Sequence, residues 1–279
     1  MKITHVLRGE DLLSSTPRQI RVYQAMGVKT DEFPVFAHLP FVMGQDNAKL
    51  SKRNGEVSIA WYRESGFLPE AICNYLALLG WSPGDDREDV SMKELVELFE
   101  LERVNSSPAR FDMKKLEAIN GEKIRKLTLD DFLSRALPFL LKDGVVSGKD
   151  DELKVLRQAL PIIQERIARM NEVSAMLKFL FTDQLSFDQE ASTALSNDQA
   201  QAVIAKSLEV LQGVDDWSHG SIEAKLREAL IDQMALKPRL AFSPVRIAVT
   251  GSHISPPLFE SMELLGKQRC ITRLKAAVS

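Results

Sequence analysis

The spacing of hydrophobic residues changes along the chain, from short β-branched runs at the start to helical stripes further on. Residues 2–8 (KITHVLR) and 34–43 (PVFAHLPFVM) are apolar runs with the length and composition of strands. Between them, residues 14–27 (SSTPRQIRVYQAMG) have Thr16 as a candidate N-cap, Pro17 at the first helical position and a closing glycine. A strand, a helix and a second strand in this order predict a βαβ unit with a parallel sheet.

From residue 69 onward the apolar residues recur with helical spacing almost to the end. Segment 69–80 (PEAICNYLALLG) opens with proline and closes with glycine, as a helix does. Ser91 is followed three residues later by Glu94, which predicts a capping box, and Thr128 is the expected cap of a later helix. In segment 112–121 (DMKKLEAING) the final asparagine and glycine predict a helix end. The chain is therefore predicted to be mainly α, with a small α/β portion at its start.

Composition excludes several classes of protein. With 279 residues, 44% hydrophobic, 27% charged and a net charge of −3, the chain is expected to be a globular protein of two or three domains. A net charge of −3 does not indicate nucleic-acid binding, but it is compatible with a local basic patch. Cys73 and Cys270 lie far apart and the histidines lack ligand spacing, so neither a disulfide framework nor a zinc site is expected. No apolar run could span a membrane, and a reducing cytoplasm fits the cysteine content.

A basic loop, residues 44–58 (GQDNAKLSKRNGEVS), follows the second predicted strand. It carries Lys49, Ser51, Lys52 and Arg53 at the carboxyl end of a strand, where ligands bind in open α/β sheets. Lysines there could stabilise the negative charge that develops on a triphosphate during attack on its α-phosphate. Because such a pattern is common by chance, an ordinary solvated loop remains the alternative.

Two further segments carry candidate binding residues. Arg8, Glu10 and Asp11 come at the end of the first strand, where the arginine could hold a carboxylate through two hydrogen bonds. A structural ion pair of Arg8 with Glu10 or Asp11 is the alternative. Near the C-terminus, Ser255-Pro256-Pro257 leads into an amphipathic helix, whose first-turn amides could meet an acceptor, unless the prolines serve only helix initiation.

Taken together, these segments resemble a bacterial glutamyl-tRNA synthetase, a class I aminoacyl-tRNA synthetase. The resemblance runs over THVLRGEDLLSSTPRQIRVYQAMG, FAHLPFVMGQDNAKLSKR, WYRESGFLPEAICNYLALLGWS, ERVNSSPARFDMKKLEAINGEKIR and VRIAVTGSHISPPLFESMELLGKQR. Each motif is weak alone, but their joint order covers nearly the whole chain. The resemblance therefore favours the phosphate-binding interpretation of the basic loop.

The resemblance implies roles for residues of the catalytic part. KLSKR is similar to the family's KMSKS loop, which binds ATP and stabilises adenylate formation, with Leu50 and Arg53 as departures from the class pattern. Lys52 would be the principal phosphate contact, supported by Lys49 and Ser51, and Arg53 is grouped with them among the catalytic residues. Arg8 matches the position that grips the side-chain carboxylate of the glutamate substrate, and Glu10 and Asp11 are assigned with it to the substrate-binding group.

The resemblance also implies an anticodon-binding region. Arg166, in QERIARM, falls where an arginine of the family favours cytosine at the third anticodon position. Ser255, Pro256, Pro257 and Leu258 fall on another anticodon-contacting turn. A surface ion pair of Arg166 with Glu165 or Glu172 is the alternative that the residues alone would favour.

The implied organisation is a remnant of a Rossmann α/β catalytic domain (1–48), a helical region with the KMSKS loop and stem contacts (49–125), and an all-α anticodon-binding domain (126–279). The family's HIGH-motif half is not among these residues, and the first strand has no earlier element to pair with. We therefore expect the chain to be a C-terminal fragment that is inactive alone. The expected partners are tRNA(Glu), glutamate and ATP with Mg²⁺, without zinc or a membrane, and a monomer is expected; a stand-alone, non-catalytic tRNA-binding module is the alternative.

Overall fold

The computed structural model describes residues 2–44, 50, 58–105 and 107–278 of the chain. It divides into two compact units, residues 1–123 (unit 1) and residues 124–279 (unit 2). Helices predominate in both units, and the mainly α fold class is confirmed. The finer division into three parts at residues 48 and 125 stays a prediction.

Unit 1 begins with the predicted βαβ unit. Its elements are β1 (His5–Gly9), a 3₁₀ helix (Glu10–Ser15), α1 (Thr16–Ala25) and β2 (Val35–Leu39). The two strands are parallel, with His5 opposite Val35 and Gly9 opposite Leu39. Because the strands are parallel, their carboxyl ends lie at the same edge, where Arg8 and the segment after β2 come together.

The start of α1 differs from the prediction. Thr16 is the first helical residue and not its N-cap, because α1 continues directly from the preceding 3₁₀ helix. Ser15 occupies the cap position in a helical conformation (φ −85°, ψ −22°) and makes no side-chain cap bond. The Thr16 hydroxyl is used instead in a tertiary contact, described below.

The other helices of unit 1 are α2 (Ile59–Glu64), α3 (Pro69–Gly80), α4 (Met92–Leu98) and α5 (Met113–Arg125). The predicted bounds of α3 are confirmed. The capping box is also confirmed, since the Ser91 hydroxyl accepts from the Glu94 amide and the Glu94 carboxylate accepts from the Ser91 amide. Local sequence therefore decides these helix starts.

The predicted helix end at Asn120-Gly121 is wrong, because α5 continues through both residues to Arg125. Asn120 is fully buried, and its Oδ1 accepts a hydrogen bond of 2.7 Å from the Leu68 amide. Its Nδ2 donates to the Gly66 carbonyl at 3.4 Å. The asparagine thus binds a neighbouring segment of backbone, so its side chain does not terminate its own helix.

Unit 2 is helical throughout its described part. The Thr128 cap is confirmed, since its hydroxyl accepts from the Asp131 amide at 3.2 Å. The α10 helix packs against α12 and α14 at the core. In chain order the helices are α6 (Leu129–Lys142), α7 (Asp150–Gln164), α8 (Val173–Phe181), α9 (Gln189–Leu195), α10 (Asp198–Gln212), α11 (His219–Arg227), α12 (Pro238–Thr250), α13 (Leu258–Leu265) and α14 (Lys267–Ala277).

Candidate functional site

Arg8 lies in a hydrogen-bonded cluster at the carboxyl end of β1. Since Arg8 is in register with His38 on β2, the two side chains lie side by side, and Arg8 Nε donates to His38 Nε2 at 3.3 Å. Arg8 Nη2 donates to the Thr16 hydroxyl at 2.7 Å, and the guanidinium stands 5.5 Å from the centre of the Phe36 ring. These contacts hold the arginine in one orientation.

The ion pair of Arg8 with Glu10 or Asp11 does not occur among the described residues. Glu10 Oε1 instead accepts from the Phe41 amide at 3.0 Å, which ties the 3₁₀ helix to the segment after β2. Arg8 Nη1 has no hydrogen-bond partner in the described part of the chain. A half-buried guanidinium with an unused donor can bind an external carboxylate, which is the chemistry predicted for Arg8.

The described residues of the basic loop are Gly44, Leu50 and Ser58. Lys49, Ser51, Lys52 and Arg53 lie outside the described residues. Leu50 is described, and its amide donates to the Val42 carbonyl at 3.0 Å. The phosphate-binding role of the four residues stays a prediction.

In unit 2, Arg166 lies just after the C-terminal end of α7. Its side chain is exposed, and the alternative ion pair with Glu165 or Glu172 is absent from the described contacts. Glu172 pairs with Arg169 instead, at 3.3 Å, and also accepts from the Ala168 amide at 3.0 Å. The guanidinium of Arg166 is therefore available to an external acceptor.

A second arginine, Arg246 on α12, was not predicted. Its Nη1 donates to the Ser255 hydroxyl at 2.6 Å and to the Pro256 carbonyl at 2.7 Å, which holds the turn before α13 against α12. Burial lowers the pKa of Arg246, and the nearby positive charge of Arg166 lowers it further, whereas Glu260 acts in the opposite direction. Arg246 lies in the segment that carried the resemblance, nine residues before Ser255, but only the fold reveals the contact.

The predicted turn is mostly packed into unit 2. Ser255 and Leu258 are 7% and 3% exposed, so their side chains belong to the interior. Pro257 is half-buried and precedes the first residue of α13. A ligand at this turn would therefore meet backbone atoms and Pro257, together with the exposed Ile254.

Arg166 and Arg246 (the arginine pair) lie close enough for the charge of Arg166 to lower the pKa of Arg246, while Glu260 offsets part of that positive charge. Neither guanidinium pairs with a carboxylate among the described residues. Two neighbouring positive charges repel each other, and a ligand rich in hydrogen-bond acceptors reduces that repulsion. Planar guanidinium groups suit phosphate oxygens and the base edges of nucleic acids.

No group of three or more histidine, cysteine, aspartate or glutamate residues that could hold a metal ion occurs in the described ranges. Among the same residues, no helix has the length and apolar character needed to cross a membrane.

Two family models match the chain. The model for tRNA synthetases class I (E and Q), catalytic domain, matches residues 1–118, and the model for the anticodon binding domain matches residues 131–278. The second match covers more than half of the chain and falls within unit 2, which holds the arginine pair. The fold and the two matches define the class as the class I tRNA synthetases.

Proteins with similar sequences indicate which member of this class the chain resembles. The chain is 50% identical over 285 residues to the glutamate–tRNA ligase of Nocardioides sp. and 48% identical over 282 residues to that of Saccharopolyspora erythraea. These matches cover 100% and 99% of this chain, but 58% and 56% of the two relatives. A crystal structure of a glutamate tRNA ligase from Elizabethkingia meningosepticum, in complex with its amino acid, matches with a TM-score of 0.81 and 29% identity. That match covers 100% of this chain and 57% of the other.

Residues 131–278 belong to the anticodon binding domain family, and the whole chain is similar in sequence to glutamate–tRNA ligases. It spans somewhat more than half the length of the curated relatives that it matches.

Proposed function

We propose that the chain is the C-terminal part of a glutamate–tRNA ligase, whose complete form attaches glutamate to tRNA(Glu) with ATP. Unit 1 contributes Arg8 and the basic loop to the catalytic centre, and unit 2 recognises the anticodon. The proposal rests on the family membership and, above all, on one observation: the arginine pair beside the turn before α13 has no carboxylate partner in the described contacts.

Anticodon recognition follows from the chemistry of this pair. Arg246 Nη1 donates to the Ser255–Pro256 turn and so positions this turn. Arg166 projects into solvent and makes no ion pair among the described residues. A guanidinium offers two parallel donors to the acceptors of a base edge, which favours one base over another by about 1–3 kcal/mol. We assign Arg166 to base recognition and Arg246 to positioning of the turn.

In the catalytic part, Arg8 would bind the side-chain carboxylate of glutamate. Its contacts with Thr16 and His38 fix its orientation before the substrate arrives, which reduces the entropic cost of binding. Lys52, with Lys49, Ser51 and Arg53, would stabilise charge on the phosphates of ATP as the adenylate forms. Mg²⁺ would enter with ATP and shield the same phosphates.

Arg166→Gln tests the anticodon assignment. tRNA binding would be measured for wild type and variant on tRNAs with cytosine or guanine at the third anticodon position, at two salt concentrations. Arg169→Gln is the matched control, since Arg169 lies three residues away and is paired with Glu172. We expect Arg166→Gln to reduce the preference for cytosine by roughly tenfold, with little change in salt dependence.

Two results would contradict this assignment. Equal weakening on both tRNAs, with a salt slope lower by about one unit, would make Arg166 a phosphate contact. No change on either tRNA, or the same change in Arg169→Gln, would remove Arg166 from the binding surface altogether.

The catalytic assignment needs a separate experiment, because the HIGH motif is not among the 279 residues. We expect this chain alone to give no glutamate-dependent exchange of pyrophosphate into ATP, and to give it once the remaining half of a relative is added. In the reassembled enzyme, Lys52→Ala should slow activation about a hundredfold while tRNA binding is retained. Exchange by the chain alone would refute its inactivity, and tRNA binding without exchange after addition would favour a stand-alone binding module.

A further inference from the structure

Unit 1 contains an apolar cavity that the proposed function does not use. It has a volume of about 540 Å³ and lies between α2, α3 and the start of α5. Its floor consists of buried apolar side chains, and its rim includes the exposed Ile59 and Leu76. The floor residues are Tyr62, Phe67, Tyr75, Phe111 and Leu116.

The size and lining of this cavity suit a small organic molecule. Ligand sites in proteins commonly have volumes of about 300–1,000 Å³ and mainly apolar walls. The Tyr75 hydroxyl oxygen accepts from the Asp112 amide at 2.6 Å, which occupies its acceptor side. Because water needs several polar partners to be held in a cavity, these walls favour an apolar occupant.

Among the described residues, the charged side chain that lines the cavity is Arg63, at the end of α2. Its side chain is exposed and makes no ion pair or side-chain hydrogen bond with the other described residues. A ligand with an apolar body inside the cavity could therefore place an anionic group against this guanidinium. The position of the charge at the rim avoids the cost of burying it.

We propose that this cavity binds a small anionic amphiphile, with a compact aromatic or branched aliphatic body and a single carboxylate or sulfonate that pairs with Arg63. The site is separate from Arg8 and from the arginine pair. Val42 and Leu50, joined by a backbone hydrogen bond, form part of its wall, so an occupied cavity would contact the residue between Lys49 and Ser51.

The cysteines provide a reporter for this site. Cys73 is half-buried in the cavity wall, whereas Cys270 is buried in unit 2, where burial raises the pKa of its thiol to about 12. A thiol reagent such as N-ethylmaleimide should therefore modify Cys73 and spare Cys270 in the folded chain. Cys73→Ser should abolish the reaction and so verify the reporter.

The probe is 8-anilino-1-naphthalenesulfonate, and its uncharged relative N-phenyl-1-naphthylamine is the control. Binding to the 279-residue chain would be followed by fluorescence, and modification of Cys73 by mass spectrometry. We expect saturable binding of the sulfonate that slows Cys73 modification in proportion to occupancy. Arg63→Gln should weaken the sulfonate roughly fivefold and leave the uncharged probe unchanged, since a partly exposed ion pair contributes modestly.

Arg18→Gln is the matched variant, because Arg18 is an exposed arginine of unit 1 outside the cavity lining. It should affect neither probe. Sulfonate binding that leaves the rate of Cys73 modification unchanged would place the probe elsewhere and overturn the proposal. Equal affinities of Arg63→Gln and wild type, or no saturable binding of the sulfonate, would overturn it as well.

Discussion

Two arginines of α14 should act together in holding unit 2. Arg273 is 6% exposed; its Nη1 donates to the Val249 carbonyl at 2.6 Å and its Nη2 to the Phe179 carbonyl at 2.7 Å. The second arginine, Arg269, donates to the Leu180 carbonyl at 2.7 Å. Arg269 and Arg273 both donate to the Thr182 carbonyl at 2.6 Å. These acceptors lie at the C-terminal ends of α8 and α12, where helices leave carbonyls without partners.

The shared acceptor sets the size of each effect. Burial is the main cause that lowers the pKa of Arg273, to about 10, so the guanidinium is still charged and able to donate at pH 7. Arg273→Met leaves two carbonyls unsatisfied and should destabilise unit 2 by about 3 kcal/mol, at about 1.5 kcal/mol for each. Arg269→Met leaves only the Leu180 carbonyl unsatisfied, and its partial exposure reduces the expected loss to about 1 kcal/mol.

The double variant provides the decisive measurement. Because only it deprives Thr182 of both donors, its loss of stability should exceed the sum of the single losses by about 1 kcal/mol. Urea unfolding followed by circular dichroism, with hydrogen exchange in α8 and α12 to assign the transition, measures all three. Arg157→Met, which removes an exposed pair with Asp130 in unit 2, is the control and should cost less than about 0.5 kcal/mol. Single losses that add without excess would refute the shared contact.

Three further outcomes are expected. Ala235, a non-glycine residue with positive φ (51°), should gain about 1 kcal/mol of unfolding free energy on replacement by glycine, measured by urea titration, and a loss would show that its methyl group is needed for packing. Ser91→Ala removes one half of the capping box and should cost about 1 kcal/mol, whereas Ser91→Asp should restore most of it. The His219 contact with Glu263 raises the pKa of the histidine above 6.5, so its stabilising effect is complete below pH 6.5 and is lost as pH rises through the higher folded pKa. NMR titration should show a lower pKa of His219 in Glu263→Gln than in wild type. An unchanged pKa would show that Glu263 does not interact with His219.

The first residues of several helices could be predicted from the sequence, because local signals mark them. The Ser91 capping box, the Thr128 cap and the Pro69 start of α3 each depend on residues within three positions of one another. Such contacts form wherever the segment folds, because the donor and the acceptor are already close in the chain. Prediction failed where a residue with a local preference had a distant partner, as Thr16 has in Arg8 and Asn120 has in Leu68.

The candidate sites divide in the same way. The residue types at Arg8 and Arg166 could be recognised in the sequence, but the alternatives of local ion pairs could be judged only from the fold. The Glu10 carboxylate accepts from the distant Phe41 amide, and the Glu172 carboxylate pairs locally with Arg169, three residues earlier. Neither carboxylate pairs with Arg8 or Arg166 in the described contacts. The roles of both arginines in binding stay predictions.

The sequence by itself determined the helical class, the βαβ start, the order of motifs and the family that they resemble, because periodicity, caps and motif order are properties of neighbouring residues. Only the tertiary structure decided that Arg246 holds the Ser255–Pro256 turn near Arg166, and that Cys73 and Arg63 border one cavity. Segments far apart in the chain become neighbours only when helices pack, and packing depends on the shape and burial of many side chains at once. Pairing between distant charges therefore cannot be read from local pattern, whereas the elements that carry those charges can.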